Sequence, residues 1–180
     1  MPIISPSDSL LLVIDIQERL LKAVSEPEIV RHNAEILTKS AALLQMPAIF
    51  TEQYPQGLGA TLETLRHDDN ALFFAKKSFS AMQETNIAAA VTATGKKQVV
   101  ICGVETHICV SQTARELLQK GFEVYVAANA SGSRQESEHQ MALRLLEREG
   151  AYITSVEGII FEWLQSSMHP QFKAVQGLIK

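Results

Sequence analysis

The sequence predicts an α/β fold, a three-layer αβα sandwich around a parallel sheet of about six strands. Two observations carry that expectation. Short apolar runs alternate with longer stretches of helical periodicity along the chain. The runs are continuously apolar rather than alternating, which is the pattern of strands buried on both faces. No repeat, low-complexity linker or shift of composition interrupts the 180 residues, so residues 1–180 are expected to form one domain.

The elements follow in order. Residues 10–14, all Leu, Val or Ile, predict a first strand that ends at Asp15. Apolar positions at Ile29, Ile36, Leu37, Ala41 and Leu44, broken only by Asn33, predict a helix over 28–44. Ser25, Glu26, Pro27 and Glu28 mark its start as a capping box with a first-turn proline. A second strand is expected at 48–51, a loop at 54–61 and a third strand at 71–74. A helix over 84–93 leads through Gly95 to a fourth strand at 99–102. The next helix has Cys109 in its first turn and stops at Gly121, before a fifth strand at 124–127. Ser133 to Glu136 reads as a second capping box, opening a helix through Met141, Leu145 and Leu146 to Gly150. A short sixth strand at 152–154 and helix on either side of Pro170, over 161–179, complete the chain.

Composition narrows the function classes. The chain is 46% hydrophobic and 20% charged, with a formal net charge of −4. No block of Lys and Arg stands out, so no nucleic-acid partner is expected. Cys102 and Cys109 make neither a disulfide framework nor a zinc ligand set. The run at 10–14 is too short to span a bilayer and no basic leader precedes it. A cytoplasmic protein without a membrane partner is the expectation. The histidines at 32, 67, 107, 139 and 169 show no paired spacing, so no metal site is expected either.

In parallel α/β sheets, ligands bind beyond the carboxyl ends of the strands, where strand order reverses. That rule selects Asp15, then Glu52 and Gln53, then Lys76 and Lys77, then the segment 103–109. If strands one and four are neighbours, Asp15 and Cys109 face each other. A thiol in the first turn of a helix suits a nucleophile, since the orphan N–H groups lower its pKa and can hold an oxyanion. A small buried hydrophobe fits Cys109 equally well. Asp15 serves either as a base for that thiol or as a cap of the following turn. The two lysines are either solvated charges or a source of positive potential for the thiolate. Cys102 reads as core, His107 as a residue that shapes a pocket, and Gly57 to Leu62 as a turn.

Three segments, LLVIDIQ around Asp15, AKKSFSAM around Lys76 and GVETHICVSQTA around Cys109, together resemble the isochorismatase-like cysteine hydrolases. The resemblance runs from the first strand to the closing HPQFKAVQGLI, and TEQYP at 51–55 is similar to the isochorismatase-domain-containing branch. It implies a Rossmann-like hydrolase fold and an Asp–Lys–Cys triad, with Asp15 as base, Cys109 as nucleophile and Lys76 as third member. The spacing Lys-x-x-Phe-Ser selects Lys76, with Lys77 one residue away. It further implies a cis peptide at Val104–Glu105 and an oxyanion hole from the backbone of Glu105 and Cys109. Substrate contacts would come from Gln17, Gln53, Tyr54, Phe79, Thr106 and His107. The implied reaction is hydrolysis of a small amide or related carbonyl compound through a thioester, without cofactor, in a homo-oligomer.

Two departures accompany the resemblance. The metal-binding Asp and His cluster of the nicotinamidases is replaced by Glu52, Gln53, Tyr54 and Pro55, with no His before His67. The fifth strand ends in Asn129-Ala130 where the family often has Asp-Ala. Two other classes stay open at this point, a noncatalytic binding member of the family and a thiol redox protein, although no CxxC supplies a resolving cysteine.

Overall fold

The structure, a computed structural model, describes residues 3–180. Its strands are β1 (Ser9–Ile14), β2 (Ala48–Gln53), β3 (Leu72–Lys76), β4 (Gln98–Val104), β5 (Glu123–Gly132) and β6 (Tyr152–Thr154). Its helices are α1 (Glu18–Leu21), α2 (Pro27–Leu43), α3 (Pro55–Leu58), α4 (Thr85–Ala93), α5 (Ser111–Gln119), α6 (Glu136–Arg148), α7 (Val156–Leu164) and α8 (Phe172–Ile179). The strands form one sheet of order β3-β2-β1-β4-β5-β6 in which every pairing is parallel. This is the doubly wound order, and its reversal lies between β1 and β4.

The continuous apolar runs have the expected physical reason. Every residue of β1 and β4 is buried, because side chains alternate between two covered faces. Leu11 and Val13 pack with α2, α7 and α8, whereas Leu10, Leu12 and Ile14 pack with α4, α5 and α6. Each such aliphatic side chain contributes about 1.5–3 kcal/mol of burial. The edge strands depart from the pattern, with β3 and β6 only partly covered. Trp163 and Leu164 complete the core under α7, while Phe161 on the same helix is exposed.

Several local expectations are corrected. Neither capping box forms: α2 and α6 carry no side-chain cap hydrogen bond, and Ser133 Oγ pairs instead with His107. Strand β5 continues past residue 127 to Gly132, through polar residues that hide it from a hydropathy reading. The loop after β2 contains the single turn α3, and α7 starts at Val156 behind a Ser155 cap that accepts from the Gly158 N–H. The first turn after β4 is a π-helix over Thr106–Val110, and α5 begins only at Ser111.

Register places the functional end of the sheet. Ile14, the last residue of β1, sits between Thr51 of β2 and Gly103 of β4. Gly103 has φ +140°, and a Cβ there would lie 2.1 Å from the Ile14 carbonyl oxygen. Only glycine allows the two strand ends to approach this closely.

Candidate active site

Asp15 follows β1 in the left-handed region at φ 53°, a conformation that Asp tolerates better than most residues. Its N–H donates to the Thr51 carbonyl at 3.1 Å, and its own carbonyl accepts from Gln17 N–H at 2.8 Å. The carboxylate is fully buried. Thr51 Oγ1 donates to Oδ1 at 2.7 Å. Lys76 Nζ stands 2.7 Å from Oδ2 in charge contact, but outside hydrogen-bond geometry. One carboxylate oxygen is thus left with a lone pair free for another proton.

Lys76 ends β3 and is 2% exposed. Its ammonium donates to Gln53 Oε1 at 2.6 Å and to the carbonyls of Phe79 at 3.0 Å and Ser78 at 3.1 Å. Buried charge is tolerated here because it is both paired and hydrogen-bonded. Glu84 holds the loop that supplies those carbonyls, accepting from the Lys77 and Ser78 N–H groups at 2.9 Å each. These amides hold its carboxyl below the usual range. Of the adjacent lysines, Lys77 is the exposed one.

Cys109 is 6% exposed, at the end of the π-helical turn. The Asp15 carboxylate and the Lys76 ammonium both lie close enough to act on its thiol by charge. Burial pushes the thiol up to about 12, Asp15 adds to the rise and Lys76 opposes it. The expectation that a helix N-terminus lowers this pKa is therefore corrected. The α-helix starts two residues later, and the thiol is buried beside a carboxylate. The Val104–Glu105 peptide before the turn is cis. Glu105 Oε2 accepts from Arg134 N–H at 2.8 Å and from its Nε at 3.1 Å.

A cavity of about 330 Å³ opens on Cys109. Gln53, Tyr54, Phe79 and Glu105 line it as the sequence suggested, together with Leu20, Leu58, Val104 and Ile108, which sequence reasoning missed. Tyr54 holds φ 38° at the hinge after β2. Gln17 does not line the cavity. It is buried behind it, tying the Gln53 backbone through Oε1 at 2.7 Å and through Nε2 at 3.1 Å. Thr106 and His107 are also not brought to it. Thr106 Oγ1 pairs with His139 Nδ1 at 2.8 Å, and His107 Nδ1 with Ser133 Oγ at 2.9 Å. His139 lines a separate concavity between α2 and α6. Thr51 was missed as well, although a polar residue closing an apolar strand beside Asp15 was a usable signal.

Among the described residues, no three His, Cys, Asp or Glu side chains come together as a metal-ligand group. Glu52, after the second strand, instead accepts from the Thr61 N–H at 2.8 Å and from Arg66 at 3.1 Å. Cys102 packs into the α2 side of the sheet and Cys109 into the α5 side, so neither thiol can resolve the other. No helix of the described residues is long and apolar enough to cross a membrane.

Comparison with known proteins agrees with the fold. The family model described as Isochorismatase domain matches residues 9–158. Isochorismatase domain-containing protein 1 of Danio rerio is 36% identical over 177 residues, covering 98% of this chain, which spans 62% of that relative's length. Among solved structures, the MAR1 ribonuclease of Caenorhabditis elegans superposes with a TM-score of 0.92 at 35% identity, covering 98% of this chain and 91% of that one. The YcaC gene product of Escherichia coli, described as an octameric hydrolase of unknown specificity, gives a TM-score of 0.89 at 26% identity, covering 98% and 94%.

Proposed function

Because the chain belongs to the isochorismatase-domain family, we propose that it is a cysteine hydrolase that cleaves a small amide or related carbonyl compound through a thioester. The observation that carries this reading is the buried Lys76–Asp15 pair at 2.7 Å, both members of which act on the Cys109 thiol at the cavity.

The chemistry follows from the charges. In the resting site burial and the nearby Asp15 carboxylate both oppose the thiolate. Proton transfer from Cys109 to Asp15 therefore accompanies attack on the carbonyl carbon rather than preceding it. Lys76, held against Asp15, stabilises the sulfur's developing negative charge. The oxyanion is held by the backbone N–H groups of Glu105 and Cys109. Asp15 then returns its proton to the departing amine, leaving an acyl thioester on Cys109. Water, deprotonated by the freed Asp15 carboxylate, hydrolyses the thioester and regenerates the thiol.

A redox role is disfavoured by the placement of the two thiols on opposite sides of the sheet. A purely binding role leaves the buried ion pair beside the thiol unexplained. We place the protein in a homo-oligomer on the precedent of the octameric relative. Its free cysteines favour a reducing, cytoplasmic setting. A screen of small amides and esters with the wild type and Cys109→Ala tests the reading. Turnover that depends on Cys109 supports it, and turnover that survives the substitution overturns it.

A further inference from the structure

We propose that the acyl group accepted by this site is neutral and mainly apolar, a short aliphatic or aromatic carboxamide, and that acyl chains bearing a carboxylate are excluded. This rests on the hydrolase reading and adds to it the substrate class. The first observation is the lining. Leu20, Leu58, Val104 and Ile108 form the walls with the rings of Tyr54 and Phe79. At about 330 Å³ the cavity lies at the small end of ligand pockets, which run to roughly 1,000 Å³.

The second observation is the charge inventory. No lysine or arginine among the described residues lines the cavity, and its one charged side chain is the Glu105 carboxylate. Of the nearby cations, Lys77 lines a separate concavity with Glu84, and the other three are committed elsewhere. Lys76 is fully buried behind the cavity against Asp15, Gln53 and two carbonyls. Arg134 sits on Glu105, and Arg19 donates to the Gly57 carbonyl. Gln53 has given its carbonyl to Lys76 and its amide nitrogen to the Lys77 carbonyl at 2.9 Å. A carboxylate entering here would lose its hydration without gaining a counter-charge, and would face Glu105. Added methylenes meet aliphatic walls, each worth about fourfold in kcat/KM until the cavity is full.

Iodoacetamide and iodoacetate, a neutral and an anionic alkylating agent of nearly equal size, test this without a known substrate. Rates at Cys109 and Cys102 are followed by peptide mass spectrometry and divided by those of the urea-unfolded chain. The expected result is a normalised preference of Cys109 for iodoacetamide of at least about tenfold. Leu58→Lys, which places a cation in the wall, should bring that ratio back toward one. Butyramide should likewise be hydrolysed at least about tenfold faster than succinamate, its carboxylated counterpart. Equal or preferred labelling by iodoacetate, with Cys109 still far more reactive than Cys102, overturns the substrate class and leaves the hydrolase reading standing. If Cys109 reacts no faster than Cys102 with either reagent, the hydrolase reading falls and the substrate class with it.

Discussion

Lys76 Nζ lies 2.7 Å from Asp15 Oδ2, and neither side chain has any exposed surface. A pair so placed is costly to break and cheaper to replace whole, because the surviving partner becomes an uncompensated buried charge. Asp15→Asn and Lys76→Met are each expected to lower stability by about 3–5 kcal/mol. The double variant should lose less than the sum of the two. Urea unfolding of all four proteins measures the coupling, and strict additivity would show that the pair does not interact.

The two partners act on Cys109 with opposite sign, and so should their removal. Asp15 raises the thiol's pKa and Lys76 lowers it, about a net value near 12. Asp15→Asn should therefore shift the onset of iodoacetamide labelling to lower pH while turnover is lost. Lys76→Met should shift it to higher pH. Labelling profiles from pH 6 to 11 check both, and shifts in the same direction contradict the assignment of charges. Circular dichroism must show a retained fold in each variant.

Cys102 gives a stability prediction at high pH. Complete burial in β4 pushes its thiol from 9.0 up to about 12. Above pH 9 the unfolded chain has lost this proton and the folded chain keeps it, so stability falls as pH rises. The slope is about 1.4 kcal/mol per pH unit for this one group between pH 9 and 12. Cys102→Ala should remove that share of the alkaline decline, at the cost of a lower stability at neutral pH. An unchanged slope in denaturant titrations at pH 9, 10 and 11 would contradict it.

Gly103 sets the distance between the strand ends that carry Asp15 and Cys109. Gly103→Ala places a Cβ 2.1 Å from the Ile14 carbonyl, with φ at +140°. It is expected to cost about 3 kcal/mol or more and to abolish turnover. Gly150→Ala, also at positive φ but with open space around its Cβ, should cost about 1 kcal/mol and leave activity intact. Thermal melts and assays of the two variants separate the close approach from backbone conformation alone.

The sheet was legible because both faces of β1 and β4 are covered, which writes burial into consecutive residues. The strand-end rule likewise pointed to the end of the sheet that carries Asp15, Lys76 and Cys109, since β1 and β4 do turn out to be neighbours. It did not divide Lys76 from Lys77, and it included Glu52, which pairs with Arg66 instead. Both capping boxes failed for the opposite reason. Short-range polar patterns compete with tertiary partners, and Ser133 found His107. The thiol's raised pKa was equally hidden, because burial and the nearness of Asp15 are properties of the assembled site. Leu20 and Leu58 carry no motif, and only folding brings them from α1 and α3 to the wall beside Cys109.

The central claim is a covalent acyl intermediate on Cys109, and quenched-flow peptide mass spectrometry during turnover of a responsive amide or ester tests it most directly. The account predicts an acyl adduct on Cys109 alone that forms within the first turnover, decays when substrate is exhausted, and is absent from Cys109→Ala. Product formation by wild type and Cys109→Ala at equal rates, with no adduct on either, would contradict it.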